Sequence, residues 1–152
     1  MKHQKGFTLI ELIVVIVILG ILAATALPRF AGLERDARFS SAKGLMGSVQ
    51  SASALAHAAW LVAGSGTATT VTMEGITVNM VNGYPAATDT GIDRAAGLTS
   101  GQGYKIAGTA PRTITPDGVT TEANCQVQYT AAPAAGQAPT IALTATSADN
   151  CQ

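Results

Sequence analysis

Hydrophobic and polar positions divide the chain into three regimes. The first is a nearly unbroken apolar run of 21 residues from Phe7 to Leu27, in which only Thr8, Glu11 and Thr25 are polar apart from glycine. As a helix it would extend about 31 Å at 1.5 Å per residue, the thickness of a bilayer core. In the second regime the apolar residues recur at steps of three and four. Phe30, Leu33 and Ala37 lead to Leu45, Val49, Ala52, Ala56, Ala59 and Ala63, with Met46 and Trp60 beside them. This period predicts an amphipathic helix whose other face carries Arg29, Glu34, Arg35, Asp36, Arg38, Lys43, Gln50 and Ser51. Gly64-Ser65-Gly66 supplies its stop.

The third regime alternates with period two. Thr69-Val71-Met73 and Ile76-Val78-Met80 predict two strands, with Glu74-Gly75 as the turn of a hairpin. The stretch from Asn82 to Pro116 is rich in turn residues, with short strands predicted around Tyr104–Ile106 and Thr113–Thr115. Cys125-Val127-Tyr129 and Ile141-Leu143 alternate again, separated by the loop Ala131-Ala132-Pro133-Ala134-Ala135-Gly136. The predicted class is α+β: a long N-terminal helix against an antiparallel sheet of about four strands, packed on residues 37–63. The predicted organisation is 1–6, a basic head; 7–28, the apolar half of the helix; 29–63, its amphipathic half; and 64–152, a β-rich head.

From Phe7 to Ala63 the helical pattern covers 57 residues, about 85 Å if straight. No compact domain of this size buries both halves, so the first half needs lipid or other copies of itself. Pro28 lies within the pattern and predicts a kink, because it removes one backbone hydrogen bond and clashes with the preceding turn. Gly20 and Gly32 are further weak points, while Gly44 and Gly47 are expected to permit close packing of the helix.

Composition narrows the chemistry. Nine basic and nine acidic side chains leave a formal charge of zero, which argues against nucleic-acid binding driven by net charge. Only 12% of residues are charged, about half the usual fraction, so parts of the surface are expected to be covered by neighbours or to face the cell exterior. Cys125 and Cys151 make an even count behind an export signal, which favours a disulfide over two unpaired core residues. No catalytic motif emerges, and neither a cofactor nor a metal site is expected. His3 and His57 are the two histidines, with His57 read as a helix boundary residue. Asp89, Asp93 and Asp117 are scattered acids and make a weak case for calcium.

Glu11 is the costly residue, because an ionisable group in hydrocarbon needs a partner. Lys2, His3 and Lys5 precede the apolar run and keep the N-terminal end cytoplasmic. An ordinary secretory signal cut after Ala24-Thr25-Ala26 is one reading and a simple membrane anchor is another. Neither explains Glu11. Gly6-Phe7-Thr8-Leu9-Ile10-Glu11, behind a basic head and before an uninterrupted apolar run, resembles the prepilin signature of type IV pilins and pseudopilins.

That resemblance implies several roles. A prepilin peptidase would cut between Gly6 and Phe7, releasing the leader 1–6 and leaving 146 residues. Phe7 would be N-methylated, and Glu11 would attract the N-terminal ammonium of Phe7 on a neighbouring subunit during assembly. The region of Pro28, with Gly20, would loosen on packing into a filament. The disulfide Cys125–Cys151 would bound a surface loop, 125–151, with Tyr129 and the Ala-Pro loop as possible receptor contacts beside ordinary packing roles. The implied protein is a subunit of a helical homopolymer, held in the inner membrane before assembly and displayed outside a Gram-negative cell after it. Its implied partners are its own copies, the prepilin peptidase, the inner-membrane pilus assembly machinery and a host or surface receptor. Glu34-Arg35-Asp36-Ala37-Arg38, Gly83-Tyr84-Pro85 and Asn124-Cys125-x-Val127-x-Tyr129 further resemble mannose-sensitive haemagglutinin pilins. A pseudopilin of type II secretion and a membrane-anchored monomeric sugar- or receptor-binding domain remain open alternatives.

Overall fold

The structure, a computed structural model, describes residues 7–64, 66 and 68–152, and the side chains of 27–31 lie outside the described set. The leader 1–6 with Gly6, and the side chain of Pro28, are therefore among sites on which it gives no geometry. Among the described residues one long α-helix, α1 (Leu9–Val62), is followed by seven strands and three short helical turns. The chain divides into two compact units, residues 1–34 and 35–152.

In the first unit α1 is apolar on every side over Leu9–Ala26, apart from Glu11 and Thr25. Among the described residues, Leu9–Ala26 is the one stretch long and apolar enough to cross a membrane, and none of it is buried by the chain. Leu12, Ile16, Leu19 and Leu22 are each more than half exposed. A helix satisfies its backbone hydrogen bonds internally, which is what a segment without water or protein around it requires.

In the second unit the remainder of α1 is the spine. β1 (Thr70–Met73), β2 (Ile76–Val81) and β3 (Tyr84–Pro85) form a three-stranded antiparallel sheet. β4 (Tyr104–Ala107), β5 (Arg112–Pro116), β6 (Val127–Thr130) and β7 (Thr140–Leu143) form a four-stranded antiparallel sheet in that order. The expected sheet of about four strands is thus present, and the first hairpin belongs to a separate sheet. Its turn is Glu74-Gly75, with both residues at positive φ and Met73 opposite Ile76. Asn82-Gly83 repeats the same device between β2 and β3, pairing Val81 with Tyr84. This second turn made a strand of residues read from sequence as loop. A side chain at Gly83 would be strained twice, by its φ of 86° and by Trp60 ring atoms 3.0 Å from a Cβ there.

The core follows the helix. Leu45 and Val49 pack with Ile92, Ile114, Val127 and Tyr129, while Ala56 packs with Val71, Val78 and Met80. Ala42 packs with Cys125, Ala145 and Cys151. The predicted stripe is right from Leu45 to Ala59 and wrong at its ends. Leu33, Ala37 and Ala63 are exposed, and Phe39 and Ala42 carry the contact instead. Arg35 and Arg38, assigned to the outer face, are partly covered and turn toward the C-terminal segment. Their long stems let a charged residue flank a core, which periodicity of apolar residues does not register. Gly44 and Gly47 meet no close packing, since a Cβ on either would touch nothing within 4 Å.

Two polar contacts fix the loops. Asp93, only 4% exposed, accepts from Nε and Nη2 of Arg112 on β5, and this hydrogen bonding holds the guanidinium above its ordinary range. Asp93 is thereby removed from any calcium site, and no cluster of three metal-ligating side chains exists among the described residues. Tyr129 is fully buried and donates to the Pro85 carbonyl at 2.6 Å, joining the two sheets. It is a core residue and offers no receptor contact. Burial pushes its phenol up to about 12, while the neighbouring Ser53 hydroxyl acts in the opposite direction.

Asp93→Ala removes the counterion of the partly buried Arg112 guanidinium, whose Nη1 still donates to the Gly108 carbonyl, and should cost about 1.5–3 kcal/mol of unfolding free energy, read by denaturant titration. Loss of less than 1 kcal/mol would show that solvent replaces the pair. Folding raises the Tyr129 pKa from 10.0 to about 12, so its contribution is complete below pH 10 and declines as pH rises through 12. Thermal melts should therefore show an alkaline loss of stability across that window, reduced in Tyr129→Phe.

Candidate assembly site at the start of the long helix

Thr8 and Glu11 stand three residues apart where α1 begins. Thr8 precedes the first helical residue and Glu11 is the third within the helix. The backbone N–H and the hydroxyl of Thr8 both donate to Glu11 Oε2 at 2.8 Å. In return the Glu11 N–H donates to Thr8 Oγ1 at 3.3 Å. This reciprocal pair is a capping box, which satisfies helix N-terminal donors that have no carbonyl partner. A carboxylate in the first turn also meets the positive end of the helix dipole.

Part of the cost of Glu11 is thus met locally, by a neighbour that sequence reading passed over as merely polar. The signal was the Thr-x-x-Glu spacing itself. Both Thr8 bonds converge on Oε2, and Oε1 accepts neither. Phe7 is 94% exposed. With Ile10, Val14 and Val15 it borders an open apolar groove that includes Glu11. In the uncut chain the Phe7 nitrogen is an amide. Cleavage before it would convert that amide into an ammonium group, a cation matched to a carboxylate in a low-dielectric setting.

The other predicted sites lie elsewhere. Gly20 is exposed within the apolar half of α1, with open space where a Cβ would sit. Pro28 lies within α1 (Leu9–Val62), and its side chain is outside the described set. Cys125 and Cys151 are bonded to each other and fully buried. The bond joins the entry of β6 to the tail after β7. Arg35 pairs with Asp149 at 2.8 Å close by, and Arg38 Nη1 approaches the Cys151 carbonyl. The Arg35–Asp149 pair is solvent-exposed, so the disulfide and its apolar surroundings dominate there.

Sequence reading missed one constellation. His57 stacks on Tyr84 with ring centroids 4.1 Å apart and lies 5.8 Å from Trp60. Its Nδ1 is 2.7 Å from the Gly83 carbonyl, and Trp60 Nε1 donates to the Ala68 carbonyl. The Asn-Gly turn that brings Tyr84 back toward the helix was the available clue.

Residues 1–27 match the family described as the prokaryotic N-terminal methylation motif. The chain is 50% identical over 54 residues to the major component of a narrow type IV pilus of Thermus thermophilus, covering 36% of this chain and 47% of that protein. It is 67% identical over 30 residues to a fimbrial protein of Pseudomonas aeruginosa, 20% of each chain. It is also 51% identical over 43 residues to the type II secretion system core protein G of Pseudomonas aeruginosa, 28% of this chain and 30% of that one. In these three cases the match spans less than half of the relative's length. No solved structure matches the chain. The family match, residues 1–27, covers the part of the chain that carries the capping box and the exposed apolar helix.

Proposed function

We propose that this protein is a type IV pilin, a structural subunit that polymerises with its own copies into a surface filament. The observation that carries the reading is an apolar helix which nothing in its own chain buries, headed by a capped carboxylate with one oxygen left over. The N-terminal methylation motif and the pilin relatives support it.

On this reading a prepilin peptidase cuts between Gly6 and Phe7, and Phe7 is then N-methylated. The uncut or newly cut subunit waits in the inner membrane with its head, 64–152, on the far side. The assembly machinery of that membrane moves it into the growing filament. The Phe7 ammonium of one copy then meets Glu11 of another, and residues 7–28 exchange lipid for neighbouring helices. Gly20 and Pro28 give the helix local freedom to adjust during that transfer. No cofactor takes part and the protein is not an enzyme. The filament serves adhesion or motility, with subtype closest to mannose-sensitive haemagglutinin pilins, and exposed loop 133–138 is the part of the disulfide-bounded segment available to a receptor.

The likeness to a type II secretion core protein favours one second reading, a pseudopilin of that system. Electron microscopy of shed fibres separates the two, because a major pilin is the bulk component of long extracellular filaments.

Mass spectrometry of the assembled protein should find a chain that starts at methylated Phe7. A start at Met1 or Leu27 would refute the assignment. Glu11→Ala should insert in the membrane at wild-type levels and yield roughly tenfold fewer filaments or less, since a lost contact is repeated at every subunit addition. Wild-type filament numbers would remove Glu11 from assembly. Thr8→Val, which deletes the hydroxyl of the cap, should give an intermediate defect and faster amide exchange at Leu9–Glu11 in micelles.

A further inference from the structure

The two sheets have edges at β1, β3, β4 and β7. Three of these are protected. β4 carries Lys105, engaged by Glu122, and the Gly101 N–H donates to its Tyr104 carbonyl at 2.9 Å. β7 follows Pro139, and its Ile141 lines a recess shared with Gln50 and Ala54 of α1. β3 is two residues long, one of them Pro85, whose carbonyl accepts from Tyr129. Charge, proline, shortness and cover are the ordinary devices that keep an edge from pairing with another chain. β1 has none of them. Its Thr70-Val71-Thr72-Met73 contains no charge, proline or glycine, and threonine and valine favour extended backbone.

Register decides which groups of β1 are free. The Met80 N–H donates to the Thr69 carbonyl at 2.7 Å, and bonded pairs alternate from there: Thr69 with Met80, Val71 with Val78, Met73 with Ile76. Thr70 and Thr72 therefore turn their N–H and C=O groups away from β2. Among the described residues no hydrogen bond reaches those groups. Both threonine side chains are exposed on the outer face, while Val71 is buried with Val78 and Met80.

The free groups are their own complement. A twofold axis at Val71 sets Thr70 opposite Thr72 of an antiparallel copy, and Thr72 opposite its Thr70. Each of these pairs can exchange both backbone bonds. The same register places threonine against threonine on the outer face, a favourable cross-strand pair. Glu74, at the turn end of β1, then falls near Ala68 of the copy and not against its own counterpart. We propose that the free edge of β1 is a self-association surface, on which β1 pairs antiparallel with β1 of a second copy and joins two three-stranded sheets into one. This contact belongs to the head, is separate from the Glu11 end of the helix, and does not rest on the pilin reading.

The test uses the full chain in excess non-ionic detergent, so that most micelles hold one copy, and reads amide exchange by NMR. Between about 0.05 and about 1 mM protein, exchange at Thr70 and Thr72 should slow at least about twofold, the change produced when half the molecules are paired. The Ile106 amide, which points outward on β4, should not respond. Thr70→Lys combined with Thr72→Lys sets lysines opposite one another and should abolish the concentration dependence, as should Thr70→Glu with Thr72→Glu. Slow exchange at Val71 and Met73, which bond to β2, reports that each variant is folded. Mixing the lysine and glutamate variants should restore the slowing at positions 70 and 72. Exchange independent of concentration in the native chain, slowing that persists in the lysine variant alone, or no recovery in the mixture would each overturn the inference. Filament yield enters none of these readouts, so failure here leaves the pilin reading standing, and the reverse.

Discussion

The chain is organised around an apolar helix that it cannot cover. Leu9–Ala26 presents isoleucine, leucine and valine on all sides, and none of that surface is buried by the chain. Water is a poor environment for it, at about 25 cal/mol for each Å² of apolar surface left exposed. Lipid or other apolar helices are the available alternatives. Transfer from one to the other releases little hydrophobic energy, because both are apolar. Association of such helices must therefore draw on packing and on specific polar contacts. This is why the few polar atoms at Thr8 and Glu11 carry so much of the functional argument.

The second unit has to be stable on its own terms. Its core is built on a short part of α1, from Ala42 to Trp60, with small residues at many of the contact positions. Alanine buries little area, so the sheets supply the larger side chains: Ile114, Val127, Tyr129, Val78 and Met80. Polar contacts then set the register of the loops. Tyr129 reaches across to Pro85, Arg112 to Asp93, and the disulfide holds the chain after β7 against Ala42. Two ion pairs, Arg112–Asp93 and Arg35–Asp149, tie distant parts of the unit together, while Asp36, Glu74 and Asp117 stay exposed on its surface.

The legible parts were those governed by long periodic patterns. The helix, the first hairpin and both strands of the Tyr104–Pro116 region follow from period and turn chemistry, and the structure places them there. What escaped was decided by contacts distant in sequence. Arg35 and Arg38 look solvent-facing until Asp149 and Cys151 arrive from the other end of the chain. Asp93 looks like a spare carboxylate until β5 brings Arg112 to it. Tyr84-Pro85 is too short to alternate, so the Asn82-Gly83 turn was its sole local signal. At the candidate site, Glu11 was conspicuous by its cost, while Thr8 was marked by nothing but its Thr-x-x-Glu spacing.

That pairing alters how the carboxylate should be understood. A lone glutamate on an apolar helix would be free to snorkel toward the headgroups, and a docking cation would have to capture and order it. Two hydrogen bonds from Thr8 hold Oε2 against the helix end. The side chain is thus ordered before any partner arrives, and the entropic cost of docking is lowered. Thr8 satisfies one oxygen without neutralising the charge, so attraction for a cation is retained. The same geometry that starts the helix therefore also presents the acceptor. On the pilin reading, the ammonium that it would receive does not exist until the chain is cut before Phe7. Cleavage would then act as the switch, and the capped glutamate as the fixed half of the contact.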